Sequence, residues 1–351
     1  MLPVRLCDSE LEVQGPGLVE VRATSSMGNG LFATHDISRG TRVIAEVPIL
    51  AISNVSSLEQ DMLERDLPAF CAALQHLPQA DLQNLGHLHC NGLHNTTEMR
   101  QRVRQWYRDR GTTDANGNIL KGKKLQDFAK STTKRFAIFL SNRVEMSTND
   151  TCRSGVFPLH SRMNHSCVPN THSAYNASIQ RLTTHAIRDI QAGEQLTTSY
   201  LETLCQAFHQ RKRMTERDWG FVCGCHACTD LSDEPLRRRM FELDQRLLLR
   251  RFPLAVTLGL PVARDDLEAL RDAEELVALL EHLGLEGMDL RRMYRTCSNY
   301  NLNLGFMQGA VQYAQKELEL ERCMIGTDTA HLQGEMGGAE FWLRLLQRLS
   351  N

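Results

Sequence analysis

The chain of 351 residues has no run of about eighteen apolar residues, which argues against a membrane-spanning helix. It has almost no net charge: 40 Lys and Arg stand against 42 Asp and Glu, a formal −2. No global field therefore draws it toward nucleic acid or an anionic lipid surface. It has no tandem repeat of fixed period; GAVQYAQKELELERCMIG resembles one tetratricopeptide helix and does not recur. Its opening residues, MLPVRLCDSELEVQG, are too polar for a secretory signal. These absences lead us to expect an intracellular protein, nuclear and/or cytoplasmic, with no membrane partner and no direct nucleic-acid partner. KGKK at 121–124 is too short to act as an import signal. In a reducing compartment the eleven cysteines read as free thiols or metal ligands, not as a disulfide framework.

What is present is an ordinary globular composition, 42% hydrophobic and 23% charged. Residues 18–50 read as short strands: Val19, Val21, Val43, Ile44 and Val47 favour extended backbone, and Gly28, Gly30 and Gly40 punctuate it. Residues 58–145 carry helical periodicity, with Leu58, Met62, Leu63 and Leu67 on one apolar face, and GTTDANGN at 111–118 as a loop. Strand-and-turn character returns from Val156 to Leu201. Residues 203–217 and 231–351 read as helical, with Gly284 as a helix stop. The basic runs HQRKR (209–213) and RRR (237–239) read as solvated helix faces, since neither interleaves with aromatics.

Two short stretches concentrate the chemistry. FVCGCHACTD places Cys223, Cys225 and Cys228 in a C-x-C-x-x-C spacing. Three thiols so close cannot pair with one another without strain, but they converge readily on one tetrahedral ion such as zinc. A fourth ligand is needed, either His226 or a distant cysteine, and Cys167 is the best distant candidate. Cys167 lies in SRMNHSCVPN, residues 161–170, which sets Asn164, His165, Ser166 and Cys167 side by side. HLHC at 87–90 lacks a second ligand pair and reads as helix surface.

Taken in order, GNGLFATHDISRGTRVIAEVPIL, NHSCVPN, HAIRDIQAGEQLTTSYL and FVCGCHAC resemble the motifs of SET-domain methyltransferases. The flanking helical segments are similar to those of the SET-and-MYND subfamily and its fungal relatives. The MYND zinc finger itself is not expected, because residues 51–100 hold only Cys71 and Cys90. The resemblance implies an α+β protein: a β-rich knotted SET domain split over 18–50 and 156–202, a helical insert over 51–155, a zinc-stapled post-SET segment over 203–230 and a C-terminal helical domain over 231–351. It implies S-adenosylmethionine as cofactor, one structural zinc on Cys167, Cys223, Cys225 and Cys228, and the lysine side chain of a protein, histone tail or otherwise, as acceptor. Gly28, Asn29, Gly30, Leu31, Asn164, His165, Tyr200 and Phe221 would contact the cofactor, with Phe221 stacking on its adenine. Tyr200 would place its hydroxyl at the transfer point. Trp219 stands where relatives often have tyrosine, and Gln195 replaces a frequent glutamate and is expected on the surface. A SET-fold scaffold that binds partners through its helical tail is the alternative; the presence of Tyr200 and of the cofactor motif favours the enzyme.

Overall fold

Val19–Ala23 (β1) and Asn29–Ala33 (β2) form an antiparallel hairpin, with Val19 opposite Ala33 and Ala23 opposite Asn29. Thr24 closes its turn by donating its hydroxyl to the Gly28 carbonyl and accepting from the Met27 N–H. Gly28 sits at φ +72, a left-handed conformation that glycine adopts without strain. The computed structural model describes residues 17–25, 27–54, 62–113, 116–146, 152–252, 258–328 and 338–350. The polar opening segment and Leu58 lie outside them.

The chain divides into two compact units. The first combines Met1–Glu46, Met163–Phe208 and Cys225–Asn351. Here β1–β2 is extended by Gln195–Thr198 (β10) and Asn164–His165 (β7), in the order β1-β2-β10-β7. β10 runs antiparallel to β2 and parallel to β7, pairing Thr197 with Asn164 and Thr198 with His165. A second sheet has Arg42–Glu46 (β3), Arg181–Ala186 (β9) and Thr171–Asn176 (β8) in the order β3-β9-β8.

The second unit combines Val47–Arg162 and His209–Gly224. It holds Leu50–Asn54 (β4), Met62–Gln75 (α1), Gln79–Gly86 (α2), Thr97–Asp109 (α3), Gly122–Asn142 (α4), Arg143–Glu145 (β5) and Cys152–Val156 (β6). Thr96 caps α3 by accepting from the Met99 N–H. Phe70, Phe136 and Phe139 pack at ring separations of 5.1 to 6.3 Å in a core with Leu67, Leu85 and Val103. The helical reading of 58–145 fails at its end. Arg143–Glu145 leaves the helix to pair with β6, because Arg143 is drawn to the buried Asp66 carboxylate (2.9 Å) and Val144 suits the strand. A Cβ at Gly155, opposite Val144, would meet the Met146 sulfur and crowd Pro48 and Phe157, so these side chains would have to shift.

In chain order the remaining helices are Phe208–Met214 (α5), followed by a π-turn at Thr215–Trp219, then His226–Thr229 (α6), Glu234–Leu249 (α7), Asp266–His282 (α8), Met288–Asn303 (α9), Met307–Ile325 (α10) and Ala339–Leu349 (α11). Of residues 203–217, only 208–214 is α-helix. Within the first unit, Met240, Leu243, Leu276, Leu280, Met293, Cys297 and Leu320 form one core with Ile187 and Leu204 of the SET-like segment. Gly284 ends α8 at φ +64, with the Leu285 N–H returning to the Leu280 carbonyl. Asp289 fixes the segment after Tyr200 by accepting from the Leu204 N–H (2.7 Å) and the Thr203 hydroxyl (2.9 Å). No helix among the described residues is long and apolar enough to cross a membrane.

Candidate functional site

The parallel pairing of β7 with β10 brings SRMNHSCVPN against the strand that leads into Tyr200, two residues past Thr198. Asn170, after Pro169, locks this arrangement. Its side chain is buried; Oδ1 accepts from the Thr197 N–H (2.7 Å), and Nδ2 donates to the Gln195 carbonyl (2.9 Å) and the Glu194 carboxylate (3.1 Å). One amide thus stands in for a neighbouring strand along β10. The composition of the motif does not reveal this role; the spacing of the Asn behind a Pro is the only available sign.

Asn164 donates from Nδ2 to the Asn29 carbonyl (3.2 Å), which joins the Gly28–Gly30 turn to β7. A Cβ at Gly30 would meet the Gln195 amide, which would have to swing aside. Gln195 is not a free surface residue as expected: it is half-buried, and its Nε2 is enclosed near Gly30 without a hydrogen-bond partner among the described residues. Leu31, next on β2, is fully buried.

Tyr200 is held at both ends. Its hydroxyl donates to the Met163 carbonyl (2.7 Å), and its backbone N–H donates to His165 Nδ1 (3.0 Å). Burial pushes the phenol up to about 12, so it stays protonated at neutral pH. With the proton committed to Met163, the oxygen's lone pairs are what Tyr200 offers to anything that approaches. A backbone N–H can only donate, so His165 Nδ1 is the unprotonated nitrogen of the neutral ring. Nε2 then carries the hydrogen and points it at Cys167 Sγ, 3.3 Å away. His165 is buried, and its ring lies 5.4 Å from that of Tyr200.

The sulfurs of Cys167, Cys223, Cys225 and Cys228 all lie within 4.8 Å of one another. The short helix α6 presents Cys225 and Cys228 one turn apart, with the Cys228 N–H bonded to the Cys225 carbonyl (2.8 Å). Cys167 Sγ is 3.6 Å from Cys228 Sγ, and its backbone N–H donates to Cys225 Sγ (3.4 Å). Cys223 joins through chain continuity, two residues before Cys225. His226 is not part of the group; its ring is 87% exposed and faces Asp230. Four thiols with no carboxylate suit zinc, and the donors aimed at Cys167 and Cys225 suit sulfurs that carry charge.

Gly28, Asn29, Gly30, Leu31, Asn164, His165 and Tyr200 thus belong to one unit and adjoin one another through β2, β7 and β10. Phe221 and Trp219 belong to the second unit. Met163 and Asn170 are contributors that motif reading missed.

Residues 28–201 match the family model described as SET domain. Among curated relatives, a histone-lysine N-methyltransferase set5 of Schizosaccharomyces pombe is 38% identical over 91 residues, covering 26% of this chain and 27% of that protein. A protein-lysine N-trimethyltransferase SMYD5 of Homo sapiens is 39% identical over 85 residues, covering 23% of this chain and 20% of that protein. The matched region thus spans about a quarter or less of the length of these relatives. Among solved structures, the SET domain of LSMT bound to lysine and AdoHcy aligns with 95% of this chain and 85% of that one at 15% identity. Its TM-score of 0.33 is too low for residue-by-residue correspondence. The chain carries a SET domain over residues 28–201 and is related in sequence to SET-domain lysine methyltransferases.

Proposed function

We propose that this protein transfers methyl groups from S-adenosylmethionine to lysine side chains of protein substrates. The observation that carries the reading is the setting of Tyr200. Its hydroxyl is part-buried, kept protonated and anchored on the Met163 carbonyl, and its backbone N–H, two residues past the end of β10, is held by His165 of β7 beside Asn164. The cofactor, when bound, supplies an activated methyl on a sulfonium. The Asn164 amide and the Gly28–Asn29–Gly30 turn, already joined by a hydrogen bond, would hold it from one side. Leu31, His165 and, through stacking on the adenine, Phe221 are assigned to the same task. Methyl transfer is an in-line displacement, so positioning dominates. The Tyr200 oxygen accepts an N–H from the incoming lysine and contacts the polarised methyl through weak C–H···O bonds. A phenol kept protonated near neutral pH is not the base, so the lysine proton leaves to solvent before transfer.

Cys167, Cys223, Cys225 and Cys228 would hold one structural zinc that staples the post-SET segment (203–230) to NHSC. In this reading the SET domain is split over 18–50 and 156–202 and knotted where NHSC meets β10, with a helical insert over 51–155 and a C-terminal helical domain over 231–351. Names of the relatives point to protein substrates, including histones, and to work in the nucleus and/or the cytoplasm. Incubating the protein with a cell extract and isotopically labelled S-adenosylmethionine, followed by peptide mass spectrometry, tests the reading. Labelled methyl on lysines is expected. Label on other residue types alone, or none, overturns it.

A further inference from the structure

The near-zero charge of the whole chain conceals a segregation. The second unit has 19 Lys and Arg against 13 Asp and Glu, and the first has 21 against 29. The excess is concentrated further: between residues 96 and 143 there are 12 basic residues against 4 acidic ones. This stretch is the α3–α4 pair, packed through Val103, Tyr107, Ala129 and Thr132 on its inner side.

On the outer side α3 and α4 flank a groove of about 350 Å³ lined by Asn95, Arg100, Asp127, Lys130, Ser131 and Lys134. Arg100 is braced by Asn95, which accepts from it at 3.1 Å through both its backbone and side-chain oxygens. Lys130 and Lys134 are exposed. One turn beyond Arg100 on α3, Arg104 is half-buried and its Nε is enclosed without a hydrogen-bond partner among the described residues. Asp127 is the one acid that lines the groove.

We propose that this α3–α4 face binds the phosphate backbone of duplex nucleic acid. One groove brings Arg100 of α3 together with Lys130 and Lys134 of α4, on two packed helices whose axes usually lie about 8–10 Å apart. On α4 the exposed Lys123, Lys130 and Lys134 extend over roughly 16 Å at 1.5 Å per residue. A polynucleotide strand offers a phosphate about every 3.4 Å along its axis, so four or five phosphates fall within that reach. A folded acidic protein offers no such regular row, which is why the long, paired rows favour nucleic acid. The face lies apart from Tyr200 in sequence and does not depend on the methyl-transfer reading.

Fluorescence anisotropy of the full chain with a labelled random-sequence duplex of about 20 base pairs, titrated over salt, tests the proposal. Binding is expected at 50 mM salt and is expected to weaken steeply as salt rises. Lys130→Glu with Lys134→Glu is expected to weaken it at least tenfold at constant salt and to reduce the log–log salt slope by about 2. Both side chains are exposed, so an unchanged thermal melt verifies the fold. Arg238→Glu with Arg251→Glu, exposed in the first unit, is expected to leave binding within twofold. No binding at 50 mM salt, or wild-type binding by the α4 variant, overturns the proposal. So does displacement of the duplex by polyglutamate as effectively as by unlabelled duplex at equal charge, which would make an acidic protein the occupant.

Discussion

The backbone N–H of Tyr200 donates to His165 Nδ1 at 3.0 Å, while the opposite ring nitrogen faces Cys167 at 3.3 Å. One imidazole therefore connects the strand end that carries the candidate catalytic hydroxyl to the cysteine group. His165→Ala removes both contacts. Turnover is expected to fall at least tenfold, and zinc affinity to fall 10- to 100-fold, the usual effect of losing an outer-shell donor. Competition against a zinc chelator checks the second effect without reference to activity. Unchanged zinc affinity in His165→Ala would separate the two sites.

The cysteine group predicts metal stoichiometry. The purified protein is expected to hold one zinc per chain, and Cys228→Ser well under one. Cys90→Ser, outside the group, is expected to retain the full equivalent. Because such sites couple to folding, chelation should lower the melting temperature of the wild type. Elemental analysis with a melt in the presence of chelator decides it; a full equivalent in Cys228→Ser rejects the four-thiol assignment.

Asn170→Ala removes the hydrogen bonds that this buried amide makes to Glu194, Gln195 and Thr197. Leaving the Thr197 N–H and the Gln195 carbonyl unpaired costs about 1–3 kcal/mol each, so a loss of roughly 2–5 kcal/mol is expected. Denaturant titration measures it. A loss under about 1 kcal/mol would mean that water replaces the amide and that Asn170 does not lock the strand.

His185 gives a pH prediction. It is fully buried on β9, and burial, aided by Arg42 whose Nε donates to it at 3.3 Å, holds it down at about 4. In the unfolded chain it takes up a proton near 6.5. The stability linked to its neutral form is present above pH 6.5 and is lost as pH falls toward 4, up to about 3 kcal/mol. His185→Asn should remove that part of the slope. Denaturant titrations at pH 7, 6 and 5 compare the two; equal slopes would contradict the assignment.

Much of the candidate site, as a set of residues that the fold brings together, was legible because its chemistry is concentrated in the sequence. NHSC and C-x-C-x-x-C display unusual residue types at ligand spacing, and Tyr200 closely follows a recognisable strand. The remainder depends on partners brought together only by folding. Met163 acts through a carbonyl, which every residue possesses, so its identity carries no signal. Gln195 looked superficial because nothing in its neighbourhood shows that β2 will lay Gly30 against it. Arg143 and Val144 continued an apparent helix because the pull of Asp66, 77 positions earlier, is a tertiary contact. The basic face of α3 and α4 vanished in an average over the whole chain.

The Tyr200 hydroxyl, anchored on Met163, is proposed to orient the transfer of a methyl group. Tyr200→Phe preserves the ring and removes only that oxygen. The measurement is the turnover rate of Tyr200→Phe against wild type on a lysine peptide identified by labelling, with S-adenosylmethionine affinity measured calorimetrically on the same samples. Affinity is expected to stay within a few-fold, and turnover to fall about 10²-fold or more, the scale of a lost transition-state hydrogen bond. Wild-type turnover in Tyr200→Phe, with the cofactor bound equally, would contradict it.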